Sequence, residues 1–333
     1  MEASKKIPQI KPEVISELLV NHFESMLANF YEMQSSFLCD LYKRYKGIDS
    51  GNIILCLARN THLEIIRMRE KNLNHDVSLK NFWFNINSIN KPTLKIISIV
   101  NQTGIPKETA RRKIKQLMNK EYIMHNEKNK EYFWTLLPKH KNAYTDVVNR
   151  EIEIISKFIL LCSNALNLNF SLEKIKIEVK QQFSFYWYHF LSYELNWIKM
   201  WQQNIKDLDL ILITLQTVIP ALKYMDKKIS LKEIGLENTY KLIGKTKKEK
   251  FSDSSVSATS ISEITGLPRA TCIRKLNKLV ELEFLIKETK TKRFYINQSS
   301  GKSKKIITKE AVNSTIKSFS IFLSIVLNSI ASS

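Results

Sequence analysis

Apolar residues recur every three or four positions through residues 12–46, at Leu18, Leu19, Phe23, Met26, Phe30, Met33, Phe37 and Leu41. That spacing puts them on one side of a helix and predicts a long amphipathic segment. Gly47 stops it, and Ile53, Ile54 and Leu55 open a second helix toward Met68. The same spacing predicts helices over 172–182, 183–201 and 207–218. Wide apolar stripes over 144–166 (Val148, Ile152, Ile155, Phe158, Ile159) and 311–330 (Ile316, Phe319, Phe322, Leu323, Val326, Leu327) predict two more. Residues 72–78 and 299–305 read as polar breaks. Residues 83–89 follow neither period and receive no assignment.

Two stretches interrupt this pattern in the same way. Thr265-Gly266-Leu267-Pro268 is followed by Cys272, Leu276 and Leu279 at three- and four-residue steps, which leaves Arg269, Thr271, Arg274 and Lys275 facing outward. Gly266 supplies the left-handed conformation of a tight turn between helices, and Pro268 suits the first helical position, where its missing N–H is not needed. Phe284-Leu285-Ile286, a charged stretch over 287–293 and Phe294-Tyr295-Ile296 then predict two short strands around a basic hairpin. The earlier stretch is Thr103-Gly104-Ile105-Pro106. Its Thr103, Gly104, Pro106, Thr109, Arg112 and Leu117 each stand 162 positions before Thr265, Gly266, Pro268, Thr271, Arg274 and Leu279. A hairpin follows here too, from Tyr122-Ile123-Met124 through polar 126–130 to Tyr132-Phe133-Trp134. The chain has only seven glycines and seven prolines, so chance is a poor explanation for the match.

Both stretches read as winged helix-turn-helix units. They resemble the winged helices of bacterial transcriptional regulators of the MarR and IclR type, the second being especially similar to the IclR version. The resemblance implies DNA binding. Nothing here corresponds to the separate ligand-binding domain that follows the winged helix in IclR-type proteins. In MarR-like proteins the terminal helices of two subunits intertwine, so the resemblance implies two copies fused as a pseudo-twofold pair. The fold expected is mainly α with small β wings, two winged helix-turn-helix units each framed by long amphipathic helices. Its segments are 12–90 (N-terminal helices), 91–137 (first winged unit), 138–167 (closing helix), 168–225 (second helical region), 226–257 (basic, serine-rich linker), 258–298 (second winged unit) and 305–333 (C-terminal closing helix).

A net charge of +20 changes the picture, because it calls for an anionic partner, most often nucleic acid. A chain rich in Lys, Asn and Ile is also what an A+T-rich genome encodes. That bias does not concentrate arginines on one helix face. Cys39, Cys56, Cys162 and Cys272 show no paired or metal-type spacing, which points to free thiols in a reducing compartment. The apolar run over 319–330 is serine-interrupted and short of the roughly 20 residues that span a bilayer. The expected location is the cytoplasm, on the nucleoid.

The candidate DNA contacts on the first unit are Lys107, Thr109, Arg111, Arg112 and Lys113, with Lys128 and Lys130 in the wing. On the second they are Arg269, Thr271, Arg274 and Lys275, with Lys290, Lys292 and Arg293 in the wing. Arg can bond guanine bidentately, Thr can reach a base edge or a thymine methyl, and Lys meets phosphate. Glu108 and Arg111 of the first helix are replaced by Ala270 and Ile273 in the second, so the two halves of a site should be read differently. The partners expected are double-stranded DNA and, through the long helices, a second copy. The aromatic residues between Phe183 and Trp201 leave room for an aromatic effector, although at helical spacing such residues are more often core. The six histidines are scattered, and no Gly-rich phosphate loop or nucleophile elbow is visible, so neither enzyme activity, cofactor nor metal is expected. Two alternatives to a transcriptional regulator stay open: a plasmid-type replication initiator with paired winged helices, and a chromosome-segregation protein-interaction module.

Overall fold

The computed structural model describes residues 9–205, 207–228, 254–297 and 309–333, and over these it is mainly helical with two small antiparallel sheets. Most of the expected linker 226–257 and the break at 299–305 lie outside the described residues. The first series of elements is α1 (Pro12–Asn21), α2 (Phe23–Tyr45), α3 (Ile48–Lys71), α4 (Phe82–Ser88), β1 (Leu94–Lys95), α5 (Ile96–Thr103), α6 (Lys107–Asn119), β2 (Ile123–Asn126), β3 (Glu131–Trp134) and α7 (Lys141–Ala165). The second is α8 (Leu172–Gln181), α9 (Phe183–Ile205), α10 (Leu208–Lys228), α11 (Ala258–Thr265), α12 (Arg269–Glu281), β4 (Leu285–Lys287), β5 (Phe294–Ile296) and α13 (Lys309–Ser332).

Four helices of the second series repeat those of the first in order and in length. α1 and α8 have 10 residues each, α2 and α9 have 23, α5 and α11 have 8, and α6 and α12 have 13. Strand pairing repeats as well. β1 extends the first hairpin to the order β1-β3-β2 with Leu94 opposite Tyr132, and an isolated bridge puts Val256 opposite Phe294 in the same place.

Several sequence expectations change. The helix expected over 12–46 breaks at His22, whose backbone leaves the helical region (φ −111°, ψ 28°). The break follows from packing: Ile15, Leu18 and Leu19 of α1 are buried on the side that meets α13, whereas α2 packs on α7 and α10. Residues 82–88 are helical, with Phe82, Asn85 and Ile86 buried. Leu94 and Lys95 form a short strand directly ahead of α5.

The packing is crossed. α1 lies on α13 from the end of the chain, and α8 on α7 from the first series; α3 lies on α9, and α10 on α2. Phe319 of α13 sits among Tyr193 (4.9 Å between ring centroids), Phe30 (5.1 Å) and Phe158 (5.3 Å), so rings from α9, α2 and α7 close around it. Gln34 and Glu194 occupy the same place in α2 and α9, and they face each other: the Gln34 Nε2 donates to Glu194 Oε1 at 2.9 Å. The aromatic residues of α9 are mostly core, with Phe183, Trp187, Phe190 and Trp197 buried. His189 is only half-buried and meets Phe185 edge-on. The cavity beside Trp197, Trp201 and Phe30 measures about 40 Å³, too small for an aromatic ligand. All four cysteines are buried and free. Glu310–Ser332 of α13 is longer than the apolar run seen in the sequence and long and apolar enough to cross a membrane, but 56% of it is buried inside the protein.

Two buried ionisable groups make stability depend on pH from opposite sides. His62 is fully buried, stacked on Phe82 at 5.0 Å and edge-on to Phe183, with no hydrogen-bond partner for either ring nitrogen among the described residues. Burial lowers its pKa to about 3. The unfolded chain therefore binds a proton first as pH falls, and stability present above the ordinary histidine range is lost on the way down. The His62 contribution to that loss between pH 7 and pH 3 should be about 4 kcal/mol, read as the difference in urea unfolding between the unsubstituted chain and His62→Leu. Glu194 behaves oppositely, because burial raises it to about 8. Stability present below the ordinary glutamate range is then lost as pH climbs from about 4 through about 8, opposing the His62 contribution over much of the same window, and Glu194→Gln should remove that loss. A histidine variant with an unchanged acid slope would contradict the packing described here.

Candidate nucleic-acid interface

Each short helix, α5 and α11, leads through a three-residue turn into a 13-residue helix, and the turn has the same construction in both places. Thr103 Oγ1 donates to the Ile99 carbonyl at 2.7 Å and accepts from Ile105 N at 3.3 Å. Thr265 does the same, to the Ile261 carbonyl at 2.6 Å and from Leu267 N at 3.2 Å. The hydroxyl thus ties the last turn of one helix to the chain that leaves it. Gly104 and Gly266 both sit at φ +75°, in the left-handed region, and each backbone N–H closes the preceding helix. Pro106 and Pro268 stand one place earlier than expected. They are the extended residues before α6 and α12, not the first helical ones.

The glycines also meet the opposite series. A Cβ on Gly266 would lie 3.0 Å from Lys43 Cγ of α2, and one on Gly104 would lie 3.2 Å from Lys199 Cγ of α9. Lys199 then donates to the Asn101 carbonyl at 2.8 Å, near the end of α5. Each helix pair is therefore braced by a lysine stem from the other half of the chain. Neither lysine was singled out in the sequence, because nothing local marks a contact across 95 or more positions.

The inward faces are as the spacing implies. Ala110, Ile114 and Leu117 of α6 and Cys272, Leu276 and Leu279 of α12 are buried. On the outer face Lys107, Arg111 and Arg112 are exposed and Thr109 is half-buried; Arg269 and Arg274 are exposed and Thr271 is half-buried. Arg111 is held by Glu108 at 2.6 Å, and Arg269 Nε donates to Thr259 Oγ1 at 3.1 Å. Both contacts are exposed, so they orient the guanidinium more than they stabilise the fold. In the hairpins Lys128, Lys130, Lys290, Lys292 and Arg293 are all exposed. Arg293 is tethered through Ser255, its Nε 2.9 Å from the hydroxyl.

Lys275 departs from the expectation. It is 8% exposed, and its ammonium pairs with the carboxylate of Asp207, just before α10. It does not face outward. Lys113, at the same place in α6, is half-buried, with Nζ 3.5 Å from where a Cβ on Gly47 would stand. Around them lie Asp49 and Asp209. Burial raises the pKa of both, with Lys113 and Arg112 opposing that rise at Asp49, and Lys275 and Lys113 at Asp209. Sequence spacing could not supply this, since Asp207 and Lys275 are 68 positions apart.

The turn geometry makes a direct prediction. Gly266→Ala should cost about 1–3 kcal/mol in urea unfolding, because a Cβ at positive φ is strained, and the Lys43 stem must also shift. Gly104→Ala should cost a similar amount. A neutral result at both would mean that the turns are not the rigid elements described.

A scan of protein-family models and a search of curated proteins found no match to this chain.

Proposed function

We propose that this chain is a sequence-specific DNA-binding regulator of transcription that reads double-stranded DNA with two non-identical helices, α6 and α12. In this reading the chain is a fused duplication. Each half contributes a winged helix-turn-helix (residues 91–137 and 258–298), and the long helices take the place of a dimer interface. It works in the cytoplasm, on the nucleoid. The observation that carries the reading is the pair of turns of the same construction, each launching a 13-residue helix whose outer face bears exposed cations. Arg112 and Arg274 occupy the same outward position in the two units. Exposed lysines in both hairpins extend the cationic surface on which phosphates would lie. The net charge of +20 agrees with that partner. Four of the outward arginines are exposed, and Arg is the side chain best matched to guanine in the major groove.

Sites selected from random duplex DNA provide the test. Arg112→Ala and Arg274→Ala should each weaken binding to the selected site by about 1–3 kcal/mol and relax the base preference in one half only. With about six to ten phosphate contacts, affinity should also fall by roughly three to five orders of magnitude between about 50 and 200 mM salt. Unaltered binding in both variants, or a flat salt response, would overturn the proposal.

A further inference from the structure

We propose that Lys113 and Lys275 are positioning residues, which set the two reading helices relative to one another through one shared carboxylate cluster and do not touch DNA. The inference rests on the DNA-binding reading above and adds to it how the two helices are coupled. Both lysines stand at the middle of their 13-residue helices, 162 positions apart. Their outward neighbours Arg112 and Arg274 are exposed, whereas Lys275 is buried and Lys113 half-buried. A lysine that meets phosphate must be free to leave its partner. Lys275 would have to abandon Asp207 at a site with little water, and an unpaired buried charge is strongly unfavourable.

The cluster joins the two halves. Asp49 lies in the first turn of α3, and Asp207 and Asp209 lie at the start of α10, so all three carboxylates sit at helix N-termini, where the backbone dipoles favour negative charge. Asp207 also accepts from Leu210 N at 3.2 Å, which fixes it at that end. Asp49 is within electrostatic reach of Lys113, Arg112 and Asp207, and Asp209 within reach of Lys275, Lys113 and Asp49. Lysines from both reading helices and carboxylates from both halves thus form one network. The α2–α3 turn adds a rigid link: Lys43 rests on Gly266 of the second unit, and four residues later Gly47 meets Lys113 of the first. A displacement of one reading helix is felt by the other.

The test compares the unsubstituted chain, Lys275→Met, and the exchange Asp207→Lys with Lys275→Asp, on the site selected by the unsubstituted chain. Lys275→Met should weaken binding by roughly tenfold or more, since it strands Asp207, while the slope of log K against log salt stays unchanged. Base preference should weaken in both halves of the site. The exchange restores the ion pair with reversed sense and should recover part of the affinity, the remainder being lost because a lysine at position 207 gives up the Leu210 N–H bond and the favourable helix end. A slope reduced by about one phosphate contact, with no recovery by the exchange, would show that Lys275 touches DNA and overturn this proposal while leaving the DNA-binding reading intact. Weakening confined to the half read by α12 would overturn the shared network. Should Lys275→Met fail to fold by circular dichroism, the exchange decides alone. Failure of the unsubstituted chain to bind any duplex would overturn the DNA-binding reading itself.

Discussion

The crossed packing of α2 on α10 and of α3 on α9 is the constraint on which the rest of this molecule depends. The apolar stripe of each long helix is covered by a helix from the other series, and Phe319, near the end of the chain, is enclosed by rings from α2, α7 and α9. Burial of this kind is the main favourable term in folding, and here it is available only when both series are present. The Gln34–Glu194 pair at the matching positions of α2 and α9 adds a constraint of another sort. Two glutamates there would each have to stay protonated in a dry interior, and the amide donor would be lost. Gln opposite Glu allows one good hydrogen bond, which requires that the two halves differ.

From the crossing follows the placement of the outer elements. α5 and α6 rest on α3 of their own half and are braced by Lys199 of the other; α11 and α12 rest on α10 and are braced by Lys43. The charges then sort into two populations. Lys275 is neutralised in place, Lys113 is half-buried beside Gly47, and Lys199 holds a backbone carbonyl. Arg112 and Arg274, and the hairpin lysines 128, 130, 290 and 292, remain exposed. Lys275 is thus not available to an anionic partner, whereas the exposed cations of the two helix faces and the two hairpins are.

What the sequence disclosed and what it hid differ in range. Thr103-Gly104 and Thr265-Gly266 were legible because their chemistry is local: a hydroxyl bonded back four residues and a glycine at positive φ. The inward faces of α6 and α12 were legible for the same reason, since helical spacing alone decides which side is apolar. The break at His22 was not, because no Gly or Pro marks it and its cause is the different partners of α1 and α2. β1 and the Val256 bridge were too short to leave an alternating pattern. Lys275 was misread on helical position alone: the outer arc of a short helix is judged without knowing that Asp207, 68 residues earlier, faces it. Thr109 and Thr271 fall between these cases, each half-buried at the edge of the outward face.

If the two halves serve as each other's partner, a single chain carries a complete reading surface, and its two faces differ where Glu108 and Arg111 are answered by Ala270 and Ile273. The mass of the complex formed on the highest-affinity site selected from random duplexes tests this most directly. One chain should bind per duplex, and the site should have two unlike halves, one helical turn or about 34–36 Å apart. Two chains on a perfect palindrome would contradict it.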